Sequence, residues 1–243
     1  MMLCSVELPV KYLKLSNEFD FDFIIASTCI GYPEYFKYFM QRKQNRFTIL
    51  DNGAFETGEA LSDEVYLKIA QKLQPNVLVI PDVYKNTYKS ILRFNFFMQK
   101  NPLQNLPNTN LMGVLQAQGS VENAEMLAEL YSTRNIKWFG IPYAAGLDRF
   151  QLISKHPEWE NVHILGLPHL SEIAALTELS NVISVDSSLP VKVTVKHLQL
   201  FRTMYSSTYV QPNEDKLNIT LLRTNLQQFT KFCHGIYKIQ EEV

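Results

Sequence analysis

Cysteine is scarce in this chain, with three residues at Cys4, Cys29 and Cys233. No two of them stand in a C-x-x-C spacing, which argues against a disulfide framework and against a zinc site built from closely spaced cysteines. Reduced thiols in a cytoplasmic setting are therefore expected, and no metal is assigned. There is no run of about 18 or more apolar residues. The amino terminus has neither a basic region leading into an apolar core nor an Arg/Ser-rich amphipathic stretch, so no membrane partner is expected. Charge of one sign is missing too: 23 Lys and Arg against 24 Asp and Glu leave a net charge of -1. Any binding of nucleic acid would have to come from a local patch. The Gly-rich phosphate turn that an open doubly wound sheet ordinarily carries after an early strand is absent. No linker, low-complexity tract or charge run divides the chain, so residues 1–243 are read as one domain.

Hydrophobic residues make up 46% and charged residues 19%, the balance of a globular protein with a substantial core. Short apolar runs recur at 5–10, 21–27, 47–51, 77–81, 111–116, 137–143, 162–167 and 182–186. They repeat roughly every 20 to 35 residues, about the length of a strand-plus-helix unit. Helical patterns lie between them: Tyr35 to Arg46, a stripe of Val65, Ile69 and Leu73 after Ser62, an aromatic segment with Phe94 and Phe97, a helix capped by Ser120, and another capped by Ser171. Eight such units predict a (β/α)8 barrel, for which about 250 residues is typical. Residues 191–243 read as helical and would close it.

In such a barrel the active site lies where the carboxyl ends of the strands meet. Ile183-Ser184-Val185-Asp186-Ser187-Ser188-Leu189-Pro190 and Phe47-Thr48-Ile49-Leu50-Asp51-Asn52-Gly53 each run an apolar strand into an aspartate. Asp51, Asp82, Gln118, Tyr143 and Asp186 all fall at that face. Two carboxylates there suit chemistry at a sugar carbon. Taken singly, Asp51 is also a turn residue, Asp82 a helix N-cap, and the serines after Asp186 capping groups. Together, at successive strand ends, they read as catalytic. His163 and His169 read as structural or loop residues. Arg42, Lys43 and Arg46, with Lys192, Lys196 and Arg202, form two basic groups that are either solvated faces or phosphate contacts flanking the mouth.

The ordered motifs resemble the tRNA-guanine transglycosylase superfamily of (β/α)8 enzymes. Leu50-Asp51-Asn52-Gly53-Ala54-Phe55-Glu56 is similar to the family's Asp-Ser-Gly-Gly-Phe-Gln, and Ile80-Pro81-Asp82 to its Phe-Asp-Glu-Cys. Gln116-Ala117-Gln118-Gly119-Ser120 resembles its Gln-Gln-Gly-Ser, and Val185-Asp186-Ser187-Ser188-Leu189-Pro190 its Phe-Asp-Cys-Val-Leu-Pro. The resemblance implies exchange of a guanine in a polynucleotide for a free 7-deazaguanine base. Asp186 would be the nucleophile at C1′ and Asp51 the acid/base. Asp82 and Gln118 would read the base edge, Phe55 would stack on it, and Gly140 to Tyr143 would line the pocket. No cofactor is implied. The family's Cys-x-Cys-x-x-Cys and His zinc pattern has no counterpart here. A compact, zinc-free chain looks most like the DNA-modifying branch of phages and bacteria, which would place it in the cytoplasm, a host's if viral. DNA is thus the expected partner, with tRNA, a homodimer or partner subunit, an accessory binding role and base exchange on free nucleosides as the alternatives.

Overall fold

The computed structural model describes residues 1–42, 45–58, 60–200 and 217–236. Eight parallel strands alternate with helices: Leu3–Val6 (β1), Asp22–Ile25 (β2), Thr48–Asp51 (β3), Val77–Val79 (β4), Asn110–Val114 (β5), Trp138–Pro142 (β6), Asn161–Leu165 (β7) and Val182–Ser187 (β8). The helices are Ala26–Gly31 (α1), Pro33–Arg42 (α2), Ala54–Thr57 (α3), Asp63–Leu73 (α4), Thr87–Gln99 (α5), Val121–Ser132 (α6), Arg149–Ser154 (α7), Leu170–Leu176 (α8), Leu189–Val195 (α9) and Ile219–Cys233 (α10). The strand order β1-β8-β7-β6-β5-β4-β3-β2 wraps into a nearly closed (β/α)8 barrel.

The strands are apolar on both faces because both are covered, and every second residue serves each side. Phe21, Phe23, Ile25, Ile49, Val77, Val79, Met112 and Val114 fill the interior. Their neighbours Ile24, Leu50, Leu78, Leu111, Phe139, Ile141, Val162 and Ile164 pack outward against the helices. The amino-terminal end of the interior is plugged by aromatics, with Phe47 stacked on Trp138 at 5.9 Å and edge-on to Phe21 at 6.1 Å. Towards the carboxyl end the lining turns polar, through Ser5, His163 and Ser184 to Asp186. Fully burying Phe94 and Phe97 of α5 contributes about 1.5–3 kcal/mol each. Gly113 lets α6 close onto β5: a Cβ there would lie 2.2 Å from the Tyr131 ring.

The barrel ladder runs through seven strand pairs, and β1 and β2 meet by other means. The Phe23 N–H donates to Ser5 Oγ at 3.2 Å, the Ile25 N–H to the Tyr35 hydroxyl at 3.1 Å, and the Asp20 N–H to the Cys4 carbonyl at 3.0 Å. Helix α10 packs over this seam. Thr230 Oγ1 donates to the Glu18 carbonyl at 2.9 Å, and Arg223 pairs with Glu18 at 3.0 Å. Its buried face is Leu222, Leu226, Phe229, Phe232 and Cys233.

Several boundaries differ from expectation. The first strand is Leu3–Val6 rather than 5–10; Pro9 lacks an N–H, and the chain turns into a 3-10 helix over Val10–Glu18. Helix α2 begins at Pro33, a favoured first position, and ends at Arg42. The buried face of α4 is Tyr66, Ile69, Ala70 and Leu73, so Val65 points to solvent. Ser120 caps α6 as expected, by accepting from the Asn123 N–H, but α8 begins at Leu170 with His169 before it, not at a Ser171 cap. In the expected helical carboxyl-terminal part, 201–216 and 237–243 lie outside the described residues. Among those described, no helix is long and apolar enough to cross a membrane.

Candidate active site

Asp186 owes its direction to an irregularity in β8. Val162 pairs with Val182 but His163 with Ser184, so β8 carries one extra residue at Ile183. Val182 and Val185 consequently both face the helices, and Ser184 and Asp186 both face the barrel interior. Such bulges recur beside active sites because they re-aim a side chain. Asp186 Oδ1 accepts from the Gly166 N–H at 3.2 Å and lies 3.1 Å from His163 Nε2. His163 Nδ1 lies 2.8 Å from Ser184 Oγ, and Phe23 stacks on the ring at 5.6 Å. With its proton on Nε2 the imidazole donates to Asp186 and accepts from the serine hydroxyl.

Glu7, just past β1, hydrogen-bonds Asp186 from the other side. Burial lifts its carboxyl well above the ordinary range, and the charges of Asp186 and Glu56 push it further, against a smaller opposing pull from Lys192. Glu7 is therefore the protonated partner, donating its hydrogen to Asp186.

Asp51 closes β3, and its Oδ2 accepts from the Gly53 N–H at 2.7 Å. Burial raises it well above the usual carboxylate range, with Glu56, Asp82 and Asp186 adding to the effect and the Gly53 N–H opposing it. The turn reading of Asp51 thus holds, and its carboxyl faces the other acids of the mouth. Gly53 has φ +79°, and a Cβ there would stand 2.5 Å from Ser27 Oγ, so glycine alone lets the chain turn this tightly. The turn launches α3, which carries Phe55 and Glu56. Glu56 keeps an exposed surface at the rim, but the packed atoms around its carboxyl, and then the charges of Asp186 and Asp82, push it up to about 6.

Asp82 lies beyond β4, buried and clamped by two amides. Asn52 Nδ2 donates to Oδ1 at 2.9 Å and Gln116 Nε2 to Oδ2 at 2.7 Å. Asn52 is itself held by the Ala54 N–H at 2.8 Å, and Gln116 by the Lys85 N–H at 3.0 Å. Burial raises Asp82, and the Gln116 and Asn52 hydrogen bonds oppose it. It is not a helix cap: Asn86 caps α5, accepting from the Lys89 N–H. Each carboxylate oxygen keeps a lone pair for a further donor.

The other expected positions divide. Gln118 is exposed and its Oε1 accepts from the Thr87 N–H at 3.3 Å, so Gln116 is the glutamine that meets Asp82. Phe55 is 63% exposed, edge-on to Tyr84 at 5.5 Å, and Tyr143 is 55% exposed beside His169 and Arg149. Both aromatics stand at the rim with surface to offer. Gly140 lies deeper. Its missing side chain makes room for Leu165, 2.8 Å from where a Cβ would be, and its carbonyl accepts from the Leu115 N–H at 2.9 Å. It packs the barrel interior, and that carbonyl serves the ladder. Arg42 and Arg46 are at the opposite end of the barrel, paired with buried Asp22 at 3.2 and 3.1 Å where β2 begins. They are thus held in ion pairs with Asp22, where the sequence offered a solvated face or a phosphate contact at the mouth. Lys192 on α9 is half-buried and close enough to the mouth to act on Glu7, and Lys196, just past the far end of α9, is half-buried too, while Lys43 and Arg202 lie outside the described residues.

Sequence reading missed Glu7, Glu56, Asn52 and Gln116, and it treated His163 as structural. The available signal was parity: Leu3, Ser5 and Glu7 alternate along β1, and Asn52 directly follows Asp51. No protein-family model matches this chain, and a search of curated proteins finds no match either.

Proposed function

We propose that this chain exchanges a purine-type base on a nucleotide sugar, replacing guanine in DNA with a free 7-deazaguanine base. The observation that carries the reading is the grouping of Asp186, Asp51 and amide-clamped Asp82 at one barrel mouth. An ionised Asp186 attacks C1′. The bond from C1′ to the base nitrogen breaks, its electron pair leaves with guanine, and guanine takes a proton from Asp51. The incoming base returns its ring N–H proton to Asp51 and attacks C1′, breaking the ester to Asp186. The environments suit both roles: Asp186 receives hydrogen bonds from Gly166 and Glu7, and burial raises the Asp51 carboxyl well above its ordinary range. Asp82 accepts from the N–H groups of the base edge, next to Gln116. Phe55, Tyr84 and Tyr143 provide aromatic surface for an unstacked nucleotide. Protonation of Glu7 and Asp51 also lowers the negative charge a phosphate chain would meet.

Exchange on a free nucleoside is the second reading, favoured by the placement of Arg42 and Arg46 away from the mouth. Incubation with radiolabelled guanine and, separately, single-stranded DNA, duplex DNA, unmodified tRNA and guanosine or deoxyguanosine separates them, with Asp186→Ala as control. Label entering DNA alone supports the first reading. Label in tRNA alone moves the substrate to RNA, and label in the nucleosides alone moves it to the second reading. No label anywhere, for wild type and variant alike, overturns base exchange and leaves an accessory binding role.

A further inference from the structure

Away from the mouth, on the outer side of β1, the thiol of Cys4, the carboxylate of Asp20 and the imidazole of His234 bring one ligand atom each to within 4.8 Å of one another. Cys233, adjacent to His234, hydrogen-bonds Cys4 through its side chain. These residues come from the two ends of the chain, and only folding unites them. The group is also supported from behind. Asp20 Oδ2 accepts from the Cys4 N–H at 2.8 Å and lies 2.9 Å from His234 Nε2, and Thr230 Oγ1 lies 3.5 Å from Cys4 Sγ. Outer hydrogen bonds of this kind orient the ligands of a metal site.

We propose that Cys4, Asp20, His234 and Cys233 form a zinc-type structural metal site that staples α10 to the β1–β2 seam. Two thiols, an imidazole and a carboxylate are the ligand set of a closed, four-coordinate site. Sulfur selects a soft or borderline ion over calcium or magnesium. Cys4, Asp20 and His234 already stand within reach of a single ion; binding displaces the thiol protons, replaces the Asp20–His234 contact with two metal bonds, and draws in the neighbouring Cys233 thiol as the fourth ligand. The site lies where the backbone ladder is interrupted, so a metal there joins β1, the segment entering β2 and the end of α10. It is independent of the proposed reaction.

The test uses the full chain, purified under reducing conditions, stripped with chelator and titrated with Co2+ and Zn2+. The expected result is one ion per chain, a near-ultraviolet thiolate-to-cobalt charge-transfer band, displacement of cobalt by zinc, and a melting temperature that rises with free zinc. Cys29→Ser, outside the cluster, should leave the band intact. Cys4→Ser should remove much of it. His234→Gln, at a half-buried position that a polar side chain tolerates, should weaken binding by at least about tenfold. The absence of a charge-transfer band in wild type overturns the proposal, as does a band unchanged in both Cys4→Ser and His234→Gln. Because wild type itself gives the first reading, the proposal stays decidable even if Cys4→Ser does not fold.

Discussion

Glu7 and Asp186 share a hydrogen bond across the β1–β8 pair, with Glu7 two residues beyond Ser5, which the register sets opposite Asp186. Glu7 holds the proton, so the contact supplies Asp186 with a donor without adding charge. Glu7→Gln keeps a donor at the same reach, whereas Glu7→Ala removes it. On the proposed reaction, Glu7→Gln should retain activity to within about tenfold. Glu7→Ala should lose about 10- to 100-fold in kcat/KM, the worth of one hydrogen bond to a charged group. Rates of guanine exchange for the two variants across pH give the comparison. Equal losses in both would mean that the Glu7 carboxyl group itself, not its donor, is what matters.

The acidic mouth also makes the fold sensitive to pH. A carboxyl whose folded pKa is raised binds more protons folded than unfolded, so its contribution is full below the ordinary pKa and is lost as pH rises through the folded value. For Glu56 the window runs from 4.5 to about 6. Glu7, Asp51 and Asp82 are displaced in the same direction. Glu56→Gln should therefore gain melting temperature relative to wild type as pH rises through that window, and Glu7→Gln should do so over a wider range. Paired melts between about pH 4 and 8 measure this. A difference between variant and wild type that stays flat with pH would contradict the raised carboxyls.

Asp82 offers a cleaner energetic test, because both of its oxygens are matched to amide donors in a buried setting. Gln116→Leu leaves Oδ2 without its 2.7 Å donor. The expected cost is about 1–3 kcal/mol, the penalty for orphaning a buried polar group. In a chain of this size that is about 2–4 °C of melting temperature per kcal/mol. Asp82→Leu combined with Gln116→Leu should cost less than the sum of the two single changes, because the second removes the group the first has orphaned. Urea midpoints of the two single variants and the double close the cycle, and strict additivity would show that the contact carries no coupling.

The barrel was legible because parallel strands buried on both faces leave continuous apolar runs, as in Val77-Leu78-Val79-Ile80. Asp51, Asp82 and Asp186 were legible because each ends such a run. Glu7 was not: β1 is only Leu3–Val6 and alternates apolar with polar, so its inward face resembles a surface. Gln116 and Gln118 differ by two positions and have the same chemistry, but Gln118 adopts φ +52° and swings out to α5. Arg42 and Arg46 read as a solvated face or a phosphate patch, and only the fold reveals Asp22 between them. The Cys4–Cys233 contact spans nearly the whole chain, beyond the reach of any local spacing rule.

The seam between β1 and β2 yields the last prediction. Along the seven paired strand edges the ladder joins strand amides to carbonyls of the neighbouring strand. At the seam, two amides rely on hydroxyls, Phe23 on Ser5 and Ile25 on Tyr35. A hydroxyl can be removed without disturbing the backbone, so the seam can be weakened one bond at a time. Tyr35→Phe deletes the acceptor of the Ile25 N–H in a fully buried position. If closure costs one or two kcal/mol more without it, the Ile25 amide should exchange with solvent about 5–30 times faster. Ser5→Ala should do the same at Phe23. The Ile164 amide, in β7 with a paired strand on either side, reports the global stability change against which these are read. An Ile25 amide that exchanges no faster than Ile164 in Tyr35→Phe would mean that the barrel opens only as a whole. Faster exchange confined to Ile25 and Phe23 would mark the seam as the place where the barrel first comes apart.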